Sequence, residues 1–271
     1  MSLSVNWQSE KSKDSYMQDF IISIVNYCQK DLLNRCLTQI KSLDLSDKWH
    51  TVVLDNSSSD DSTDMVEANH SWVELIKLNK NVGFGKGHNI IYSKTDSVYF
   101  FVLNPDVVVL PGSLEKLVEM LEQHDKAAIV GPKLLNPDET LQLSARRFYN
   151  WPTVLCRRLP LPGRKKVNDF HLMKEWDHKN VQNVDWLLGA VMGIRRSAFE
   201  RNELFDSRYK LYFEDVDLCY FAHQQGWDVL YCPEGKMIHD HQRSSTNGIL
   251  NMAKINHFLS WLKFYKKSKR W

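Results

Sequence analysis

The stretch Tyr-Phe-Phe-Val-Leu-Asn-Pro-Asp-Val-Val-Val-Leu, residues 99–110, decides the fold. A continuous run of aromatic and β-branched residues is typical of a strand that is buried on both faces. Proline has no N–H to donate to a strand ladder, so we expect the strand to end or bend at Pro105. Asp106 then follows the carboxyl end of a central strand, which is the edge where open α/β sheets bind ligands.

The sequence leaves two interpretations of Asp106 open. An ionised carboxylate beside so much apolar surface is costly unless a partner, such as a divalent cation, compensates its charge. The triplet Asn104-Pro105-Asp106 is also ordinary turn chemistry, in which Asp106 caps the turn that Pro105 starts. Neighbouring motifs have to decide between the two.

Composition bounds the class of protein. A chain of 271 residues suits one large α/β domain or two small ones, and a formal net charge of +2 gives no reason to expect a nucleic-acid partner. The five cysteines form no C-x-x-C pair, so neither a zinc site nor a disulfide framework is indicated. Because no membrane-spanning run or signal peptide is visible, we expect a cytoplasmic protein whose membrane contact, if any, is peripheral.

Before residue 99, apolar runs alternate with helical patterns. Strands are predicted over residues 20–27, 51–55 and 73–78, and helices over 31–45, from about 62, and after the loop 81–89. The order β-α-β-α-β-α-β predicts an α/β fold with a mostly parallel central sheet and helices on both faces.

After residue 110 the pattern becomes less regular. Helices are predicted over residues 113–124, 214–225 and 251–271, and strands over 127–132, 184–195 and 227–232. Residues 151–167 contain three prolines and a basic cluster, and we expect an irregular excursion there. The predicted division is a flexible leader over 1–19, one domain over 20–245, and an amphipathic basic and aromatic helix over 246–271.

Acidic residues fall repeatedly at predicted strand ends and helix starts. They are Asp55, Asp106, Asp185 and the pair Glu214-Asp215, and the histidine His239 follows a strand. Each has a plain structural explanation, such as a cap or a favourable helix N-terminus. A parallel sheet would gather them at one edge, however, where like charges repel unless a cation or a basic ligand compensates them.

The loop Gly83-Phe84-Gly85-Lys86-Gly87 is a separate signal. It matches neither the dinucleotide-binding pattern nor the P-loop, and it follows the third strand, not the first. Its glycines provide close backbone approach and positive φ angles, which a ligand loop needs. A plain tight turn into a helix is the alternative.

A series of short motifs follows one order along the chain. They are Ile24-Val25-Asn26-Tyr27, Val53-Leu54-Asp55-Asn56-Ser57-Ser58, the loop 81–89, Leu103-Asn104-Pro105-Asp106, Gly131-Pro132, Arg146-Arg147-Phe148, residues 185–190, residues 213–219, and His239 with Ser244. With these motifs the chain resembles the inverting glycosyltransferases of family 2, which have the GT-A fold. Within that family it is most similar to the rhamnosyltransferase-like enzymes of bacterial O-antigen and surface-polysaccharide synthesis. The resemblance covers about residues 20–245.

The resemblance implies a nucleotide-sugar donor site. Its implied contacts are Asn26, Tyr27 and Asp55 for the base and ribose, Asn81, Gly83 and Asn89 near the ribose and diphosphate, and Asn104 with Asp106 in the place of the family's D-x-D motif. Asp106 would meet Mg²⁺ or Mn²⁺, with His239 as a further metal or diphosphate contact. Because Asn104 replaces the first acid of the motif, low metal affinity is expected.

The resemblance also implies roles on the acceptor side. Asp215 would be the catalytic base with Glu214 as the second candidate, and Asp185, Trp186 and Gly189 would shape the acceptor side. The implied donor is first of all dTDP-L-rhamnose, the acceptor is a saccharide carried on polyprenyl diphosphate, and a homodimer stays open. The alternatives are another donor such as a UDP-hexose, a sugar nucleotidyltransferase, and a nucleotide-sugar-binding protein without catalysis.

The C-terminal segment mixes aromatic and basic residues. The aromatic and apolar members are Phe258, Trp261, Leu262, Phe264, Tyr265 and Trp271, and the basic ones are Lys263, Lys266, Lys267, Lys269 and Arg270. On one amphipathic helix they would fit an anionic membrane surface at the inner face of the cell membrane. The alternative is a helix docked on the core with a solvated lysine face.

Overall fold

The structure is a computed structural model, and it describes residues 6–7, 18–158, 162–199, 201–209, 212–240 and 249–268. The first half contains β1 (Asn6–Trp7), β2 (Gln18–Asn26), α1 (Lys30–Ser42), β3 (Trp49–Asp55), α2 (Ser62–Asn69), β4 (Glu74–Lys77), α3 (Phe84–Lys94), β5 (Ser97–Leu103), β6 (Val107–Val109) and α4 (Ser113–Gln123). The strands and helices predicted for residues 20–124 therefore exist, with ends that differ by a few residues.

The second half is richer in elements than the sequence indicated. It contains β7 (Ala127–Leu135), β8 (Ala145–Arg146), α5 (Trp151–Arg158), α6 (Arg164–His171), β9 (Gln182–Asn183), β10 (Trp186–Leu187), β11 (Val191–Arg195), a 3₁₀ turn (Arg196–Ala198), α7 (Glu214–Gln224), β12 (Asp228–His239) and α8 (Ile249–Ser268). The strand predicted over residues 227–232 continues to His239 in β12, with a register shift between Cys232 and Lys236.

One mixed sheet forms the centre of the molecule. Its strand order is β1-β4-β3-β2-β5-β11-β7-β12-β6, with β9 beside β12. The strands β4, β3, β2 and β5 pair in parallel, as do β7 and β12, whereas β11 is antiparallel to both of its neighbours. The predicted mostly parallel central sheet is thus confirmed, with β1, β6, β9 and β11 as its antiparallel members.

Helices cover both faces of this sheet because strand residues alternate between them. On one face, Leu37 of α1 and Leu117 of α4 pack in the same apolar cluster as Val53 of β3. On the other face, Leu54 of β3 packs in a cluster with residues of α3, α7 and α8, among them Trp261. The same strand therefore supplies both layers of the core.

The stretch around Pro105 divides between two places in the sheet. Residues up to Leu103 lie in the centre, between β2 and β11, and the strand ends there as predicted. Val107–Val109 does not continue that strand, since it pairs antiparallel with β12 at the far edge of the sheet. The amide of Asp240 donates to the backbone oxygen of Asp106 over 2.9 Å. Asp106 is therefore fixed at the crossing between two strands.

The prediction of an irregular excursion over residues 151–167 is wrong, because two short helices occupy it. The side chain of Asn150 caps α5 by accepting from the amide and the hydroxyl of Thr153, at 2.9 and 2.6 Å. Pro152 lies in the first turn, where a missing N–H costs nothing. Gly163, with φ 78°, precedes α6 in the left-handed region. Residues 159–161 lie outside the described part.

Two terminal predictions fall partly outside the described residues. Within the predicted leader, Asn6–Trp7 pairs antiparallel with β4, and residues 1–5 and 8–17 are not described. Near the C-terminus, His241, Ser244 and residues 269–271 are not described either. Among the described helices, none is both long enough and apolar enough to cross a membrane.

The C-terminal helix α8 docks on the domain. Trp261 and Phe264 are buried, and the ring of Phe264 lies 5.3 Å from that of Tyr220 in α7. The ammonium group of Lys267 lies 2.7 Å from Asp217 Oδ2 and 3.2 Å from Asp206 Oδ2. The aromatic face of α8 is therefore part of the core.

Candidate active site

A cleft of about 610 Å³ opens at the carboxyl edge of the sheet. It is lined by Phe84, Asn104, Gln142, Arg146, Tyr149, Trp186, Leu188, Gly189, Ala190, Tyr212, Phe213, Glu214, Asp215, Val216, His239 and His257. Six of the sequence-predicted site residues are in that lining, from separate strands, loops and helices: Asn104, Trp186, Gly189, Glu214, Asp215 and His239. Of the acids and the histidine that were expected to gather at one edge, Glu214, Asp215 and His239 line the cleft, whereas Asp55, Asp106 and Asp185 do not.

Asp215 is held in the first turn of α7. Its Oδ2 accepts from the amide of Gly189 over 3.0 Å, and its Oδ1 accepts from the amide of Val216 over 2.9 Å. Burial raises the pKa of Asp215 above its usual value, while these two amides and the charge of Arg146 oppose the rise. The carboxylate remains partly accessible from the cleft, as a group that takes a proton from a bound hydroxyl must be.

Glu214, the second candidate base, is more deeply buried. Its Oε2 is enclosed and accepts no hydrogen bond from the described part of the chain. Burial first, and then the charge of Asp215, raise the pKa of Glu214 to about 7. Because these two adjacent carboxyls repel each other when both are ionised, they titrate as a pair. A proton held by Glu214 therefore favours the ionised form of Asp215.

Gly189 has a role that depends on its missing side chain. A Cβ atom placed there would lie 3.2 Å from Asp215 Cβ and 3.5 Å from Asp215 Oδ2. The group that approaches the backbone of Gly189 is thus the side chain of Asp215. Glycine therefore allows the backbone N–H to reach and orient Asp215.

Asp106 and His239 lie together below the cleft. His239 Nε2 is 3.4 Å from Asp106 Oδ1, and both side chains are buried. Asp106 Oδ1 accepts no hydrogen bond from the described residues, which is costly for a buried carboxylate oxygen. The plain turn interpretation leaves this oxygen unexplained, whereas a cation between carboxylate and imidazole would satisfy it.

Gln142, which the sequence did not single out, sets the orientation of His239. Its amide nitrogen faces two oxygens, Asn136 Oδ1 at 3.0 Å and His239 O at 3.3 Å, so its Oε1 is the acceptor that faces His239 Nδ1 at 2.6 Å. This assignment puts the proton of a neutral imidazole on Nδ1. Nε2 then presents its lone pair toward Asp106, as in metal-binding histidines oriented by a neighbouring acceptor.

Asp106 and His239 fit a divalent cation whose remaining ligands come from a substrate. Among the described residues, no group of three or more His, Cys, Asp or Glu could hold a metal ion. Mg²⁺ characteristically uses one or two carboxylates together with substrate phosphates and water. Two protein ligands therefore suit a cation that binds together with a diphosphate, and the replacement of an acid by Asn104 is consistent with that arrangement.

Asn26, Asp55 and Ser58 form a network at the ends of β2 and β3. Asn26 Nδ2 donates to Asp55 Oδ1 and to Ser58 Oγ, each over 3.1 Å, and the amide of Ser58 donates to Asp55 Oδ2 over 2.8 Å. The neighbouring Tyr27 ring is 51% exposed. The network fixes the Asp55 carboxylate, and the exposed ring beside it offers a stacking face.

The glycine-rich loop joins this network through Asn56. Asn56 Oδ1 accepts from the amide of Val82 over 2.8 Å, and Asn81 Oδ1 accepts from the amide of Gly83 over 2.8 Å. Gly83 has φ 89° and precedes α3. The close approaches at Gly85 and Gly87 are to the protein's own Phe205 and Val25 side chains. Only Gly83 therefore requires a positive φ angle.

Two predicted site residues are engaged with backbone outside the cleft lining. Asn89 donates to Phe205 O over 2.7 Å and accepts from Phe205 N over 2.8 Å, so its amide holds a loop. Asp185 Oδ2 accepts from the amide of Phe148 over 2.7 Å. Trp186, beside it, does line the cleft, with the guanidinium of Arg146 5.1 Å from its ring centroid.

Sequence reasoning missed several lining residues. Gln142, Tyr149 and Tyr212 lie in irregular segments, and His257 lies on α8, far along the chain. A signal was available for Tyr149, because it directly follows the Arg146-Arg147-Phe148 motif. No periodicity or spacing could have brought His257 to this cleft, since its position depends on how α8 docks.

The chain belongs to glycosyl transferase family 2, whose family model matches residues 19–201. It is 27% identical over 238 residues, 82% of this chain and 76% of the relative, to the N-acetylglucosaminyl-diphospho-decaprenol L-rhamnosyltransferase of Mycobacterium tuberculosis. It is 26% identical over 226 residues, 80% of this chain and 82% of the relative, to rhamnosyltransferase WbbL of Escherichia coli. The protein is therefore a glycosyltransferase with rhamnosyltransferase relatives.

The fold is GT-A. The mannosyltransferase PcManGT from Pyrobaculum calidifontis, solved in complex with GDP-Man and Mn²⁺, superposes with a TM-score of 0.63 at 14% identity, over 95% of this chain and 68% of that one.

A third sequence relative, the low-salt glycan biosynthesis hexosyltransferase Agl10 of Haloferax volcanii, is 24% identical over 95% of this chain and 80% of its own length. The fold and enzyme class expected from the sequence are confirmed.

Proposed function

We propose that this protein transfers a sugar from a nucleotide-activated donor to a saccharide acceptor with inversion at the anomeric carbon. The observation that carries the proposal is the cleft itself, which joins the carboxylate of Asp215 to His239 and Asn104 within one volume of about 610 Å³. That volume lies within the range of small-molecule sites. The residue expected to take a proton and those expected to face a diphosphate therefore share one cavity.

The proposed step is a single displacement. The carboxylate of Asp215 removes the proton of an acceptor hydroxyl, whose oxygen forms a bond to the anomeric carbon while the bond to the nucleoside diphosphate breaks. The transition state resembles an oxocarbenium ion, as in glycoside hydrolysis. Inversion requires Asp215 and the leaving group on opposite faces of the sugar. A cation held by Asp106 and His239 supplies Lewis-acid stabilisation of the leaving diphosphate when it is bound.

The donor site is proposed from the geometry at the ends of β2 and β3. Asp55, held by Asn26 and Ser58, has a fixed carboxylate that suits ribose hydroxyls or a base N–H. The exposed ring of Tyr27 is suited to stack on the base. Asn81 and Gly83 stay predicted donor contacts, and Asn89 would act through the loop that it holds at Phe205.

The leading donor is dTDP-L-rhamnose and the leading acceptor is a saccharide on polyprenyl diphosphate, in bacterial surface-polysaccharide synthesis. Support comes from two rhamnosyltransferase relatives, one of them named for a diphospho-decaprenol acceptor. A fold neighbour in complex with GDP-Man and Mn²⁺ keeps other sugar nucleotides, UDP-hexoses included, and Mn²⁺ in the test. A nucleotide-sugar-binding protein without turnover is the remaining alternative.

A donor panel tests the proposal. The full chain is incubated with dTDP-rhamnose, UDP-glucose, UDP-galactose, UDP-N-acetylglucosamine and GDP-mannose, with and without Mg²⁺ or Mn²⁺, and melting temperature and nucleotide release are measured. We expect one donor to raise the melting temperature, more so with metal. The control variant is Asp125→Asn, which changes an exposed acid at the amino end of β7. Its melting temperature and its nucleotide release should equal those of wild type. Binding of no sugar nucleotide under any condition would refute the transferase assignment.

A peripheral contact with the inner face of the cell membrane, where a polyprenyl-linked acceptor would be reached, belongs to the same proposal. Because Trp261 and Phe264 face the core, the contact would use the exposed face of α8, with Leu259, Lys263 and Lys266. Replacing both of these lysines by Gln should weaken binding to phosphatidylglycerol vesicles, while Lys126→Gln should not. Equal binding of both variants would exclude this face of α8.

A further inference from the structure

Three aromatic rings of the cleft come from three different segments. Tyr149 precedes α5, Tyr212 precedes α7, and His257 belongs to α8. The ring centroids of Tyr149 and Tyr212 lie 5.8 and 5.7 Å from that of His257, and Phe213 lies 5.1 Å from it. The rings of Tyr149 and Phe213 meet that of His257 nearly edge to face, at 75° and 71°, and both are buried. Tyr212 and His257 therefore remain accessible in the cleft that also contains Asp215, with Tyr149 packed behind them.

The backbone that presents Tyr212 is strained. Tyr212 and Phe213 have φ angles of 67° and 75°, a region that bulky residues rarely adopt. Strain of this kind persists where the surrounding structure enforces it, and it is concentrated at functional sites. Its result here is that Phe213 is buried, whereas the ring of Tyr212 stays 42% exposed beside the catalytic pair.

We infer that Tyr212 and His257, with the buried ring of Tyr149 behind them, form a stacking subsite for a pyranose ring of the acceptor saccharide. The inference rests on the proposed transferase function and deepens it. One face of a pyranose carries only C–H bonds and packs on aromatic rings, while its hydroxyls point to the edges, where polar groups can reach them. A ring stacked on this surface lies in the cavity of Asp215, which is where the attacking hydroxyl must be.

The docking of α8 fixes the third member of this subsite. Lys267 bridges Asp206 and Asp217, and Phe264 packs 5.7 Å from Phe213, so the helix is tied to the start of α7. Residues 212 and 257 lie beyond residues 19–201, the part that the family model matches. The segment outside the matched region therefore supplies two of the three rings of this subsite, as expected for a feature that distinguishes one transferase from another.

Saturation-transfer NMR tests the subsite without requiring turnover. The probes are the octyl β-glycosides of N-acetylglucosamine, glucose and mannose, added to the full chain with Mn²⁺ and the nucleoside diphosphate of the donor that the panel identifies. In wild type we expect saturation of the sugar ring protons of at least one probe. Tyr212→Ala and His257→Ala should weaken binding about tenfold, the order of one aromatic contact.

Two further variants separate stacking from a general structural effect. Tyr212→Phe keeps the ring and should restore binding. Val181→Ala changes an exposed apolar residue outside the cleft lining and should bind as wild type. Tyr212 is exposed, so its variants are expected to fold even where His257→Ala does not.

The outcomes also distinguish this inference from the proposed function. Donor binding and slow nucleotide release by wild type in the absence of acceptor test the transferase. If they persist while Tyr212→Ala and wild type saturate the probes equally, the stacking subsite is wrong and the transferase stands. Saturation of the octyl chain alone, or of no probe at all by the donor-loaded wild type, would equally overturn the subsite.

Discussion

Asp215, the proposed base, has both carboxylate oxygens engaged by backbone amides, one each from Gly189 and Val216. Asp215→Asn keeps the shape and one of the two amide contacts but cannot accept a proton. We expect transfer to fall by about 10²–10⁴-fold while the donor-induced rise in melting temperature is kept. Product formation by mass spectrometry measures the first and a thermal shift assay the second. Transfer within a few fold of wild type would remove Asp215 from the role of base.

Glu214 makes the stability of the fold depend on pH. Its pKa is raised above the unfolded value by burial and by the charge of Asp215. The unfolded chain therefore loses this proton at a lower pH than the folded chain, so stability falls as pH rises between about 4.5 and about 7. We expect Glu214→Gln to be more stable than wild type at about pH 8 and to lose that advantage at about pH 4, measured by urea unfolding. An advantage that is the same at both pH values would contradict this explanation.

Gln142 is a positioning residue whose effect can be seen in the spectrum of His239. In Gln142→Leu, Nδ1 loses its acceptor, so the preference for the tautomer with the proton on Nδ1 should disappear. We expect the change in the ¹⁵N spectrum of labelled histidine, with His239→Gln used to assign the signal. Loss of such a partner typically weakens metal binding about 10- to 100-fold, which water relaxation by Mn²⁺ in the presence of nucleoside diphosphate measures. Gln142→Glu keeps an acceptor for Nδ1 and should keep the tautomer. An unchanged tautomer in Gln142→Leu would refute the role.

At the scale of the element, α8 is held by one lysine between two acids. Asp217 is almost fully buried, and Lys267→Met leaves its carboxylate with only the Tyr209 hydroxyl at 3.1 Å. Removing one partner of a buried pair is costly, and we expect a loss of about 2–4 kcal/mol and a fall of several degrees in melting temperature. Lys266→Met, on the exposed face of the same helix, should change the melting temperature little. Equal melting temperatures for the two variants would mean that the ion pairs of Lys267 do not hold α8.

Elements with a strong local pattern were predictable, and those that depend on tertiary contacts were not. The alternation of strands and helices up to residue 124 followed from periodicity, and the end of β5 at Pro105 followed from its missing N–H. The helix α5 was missed because three prolines concealed a good cap, Asn150, whose bond to Thr153 needs no regular pattern. The edge position of β6 was missed because strand order in a sheet is not encoded in a local run.

The site follows the same rule. Asp55, Asp106, Asp215 and His239 could be singled out as candidate site residues because each lies near the end of a strand or the start of a helix. Parallel strands bring such ends together. Gln142 and His257 were missed because the role of each depends on residues that are distant in sequence. For Gln142 that residue is His239, 97 residues away. The family resemblance implied roles for more residues than the pattern alone did. For Asn89 it implied a donor contact, whereas the side chain hydrogen-bonds the backbone of Phe205.

At the scale of the whole molecule, the proposed donor contacts and the proposed acceptor contacts come from different parts of the chain. Asn26, Asp55, Asn81, Gly83 and Asp106 all come from the part before residue 110, and the family model covers that part in full from residue 19. The proposed base Asp215, its neighbour Glu214 and two rings of the proposed stacking subsite, Tyr212 and His257, come from residues 212–257. The two parts meet across one sheet, because β11 inserts between β5 and β7.

The docked position of α8 has a consequence for how such enzymes can diversify. The helix ends the described chain and contributes a wall of the cleft without contributing a strand to the sheet. Recombination between related genes could therefore exchange α8 alone, leaving every strand of the sheet, Asp215 and His239 unchanged. A library of such chimaeras, joined between β12 and α8, would vary the accepted glycan while each member inherits the same donor.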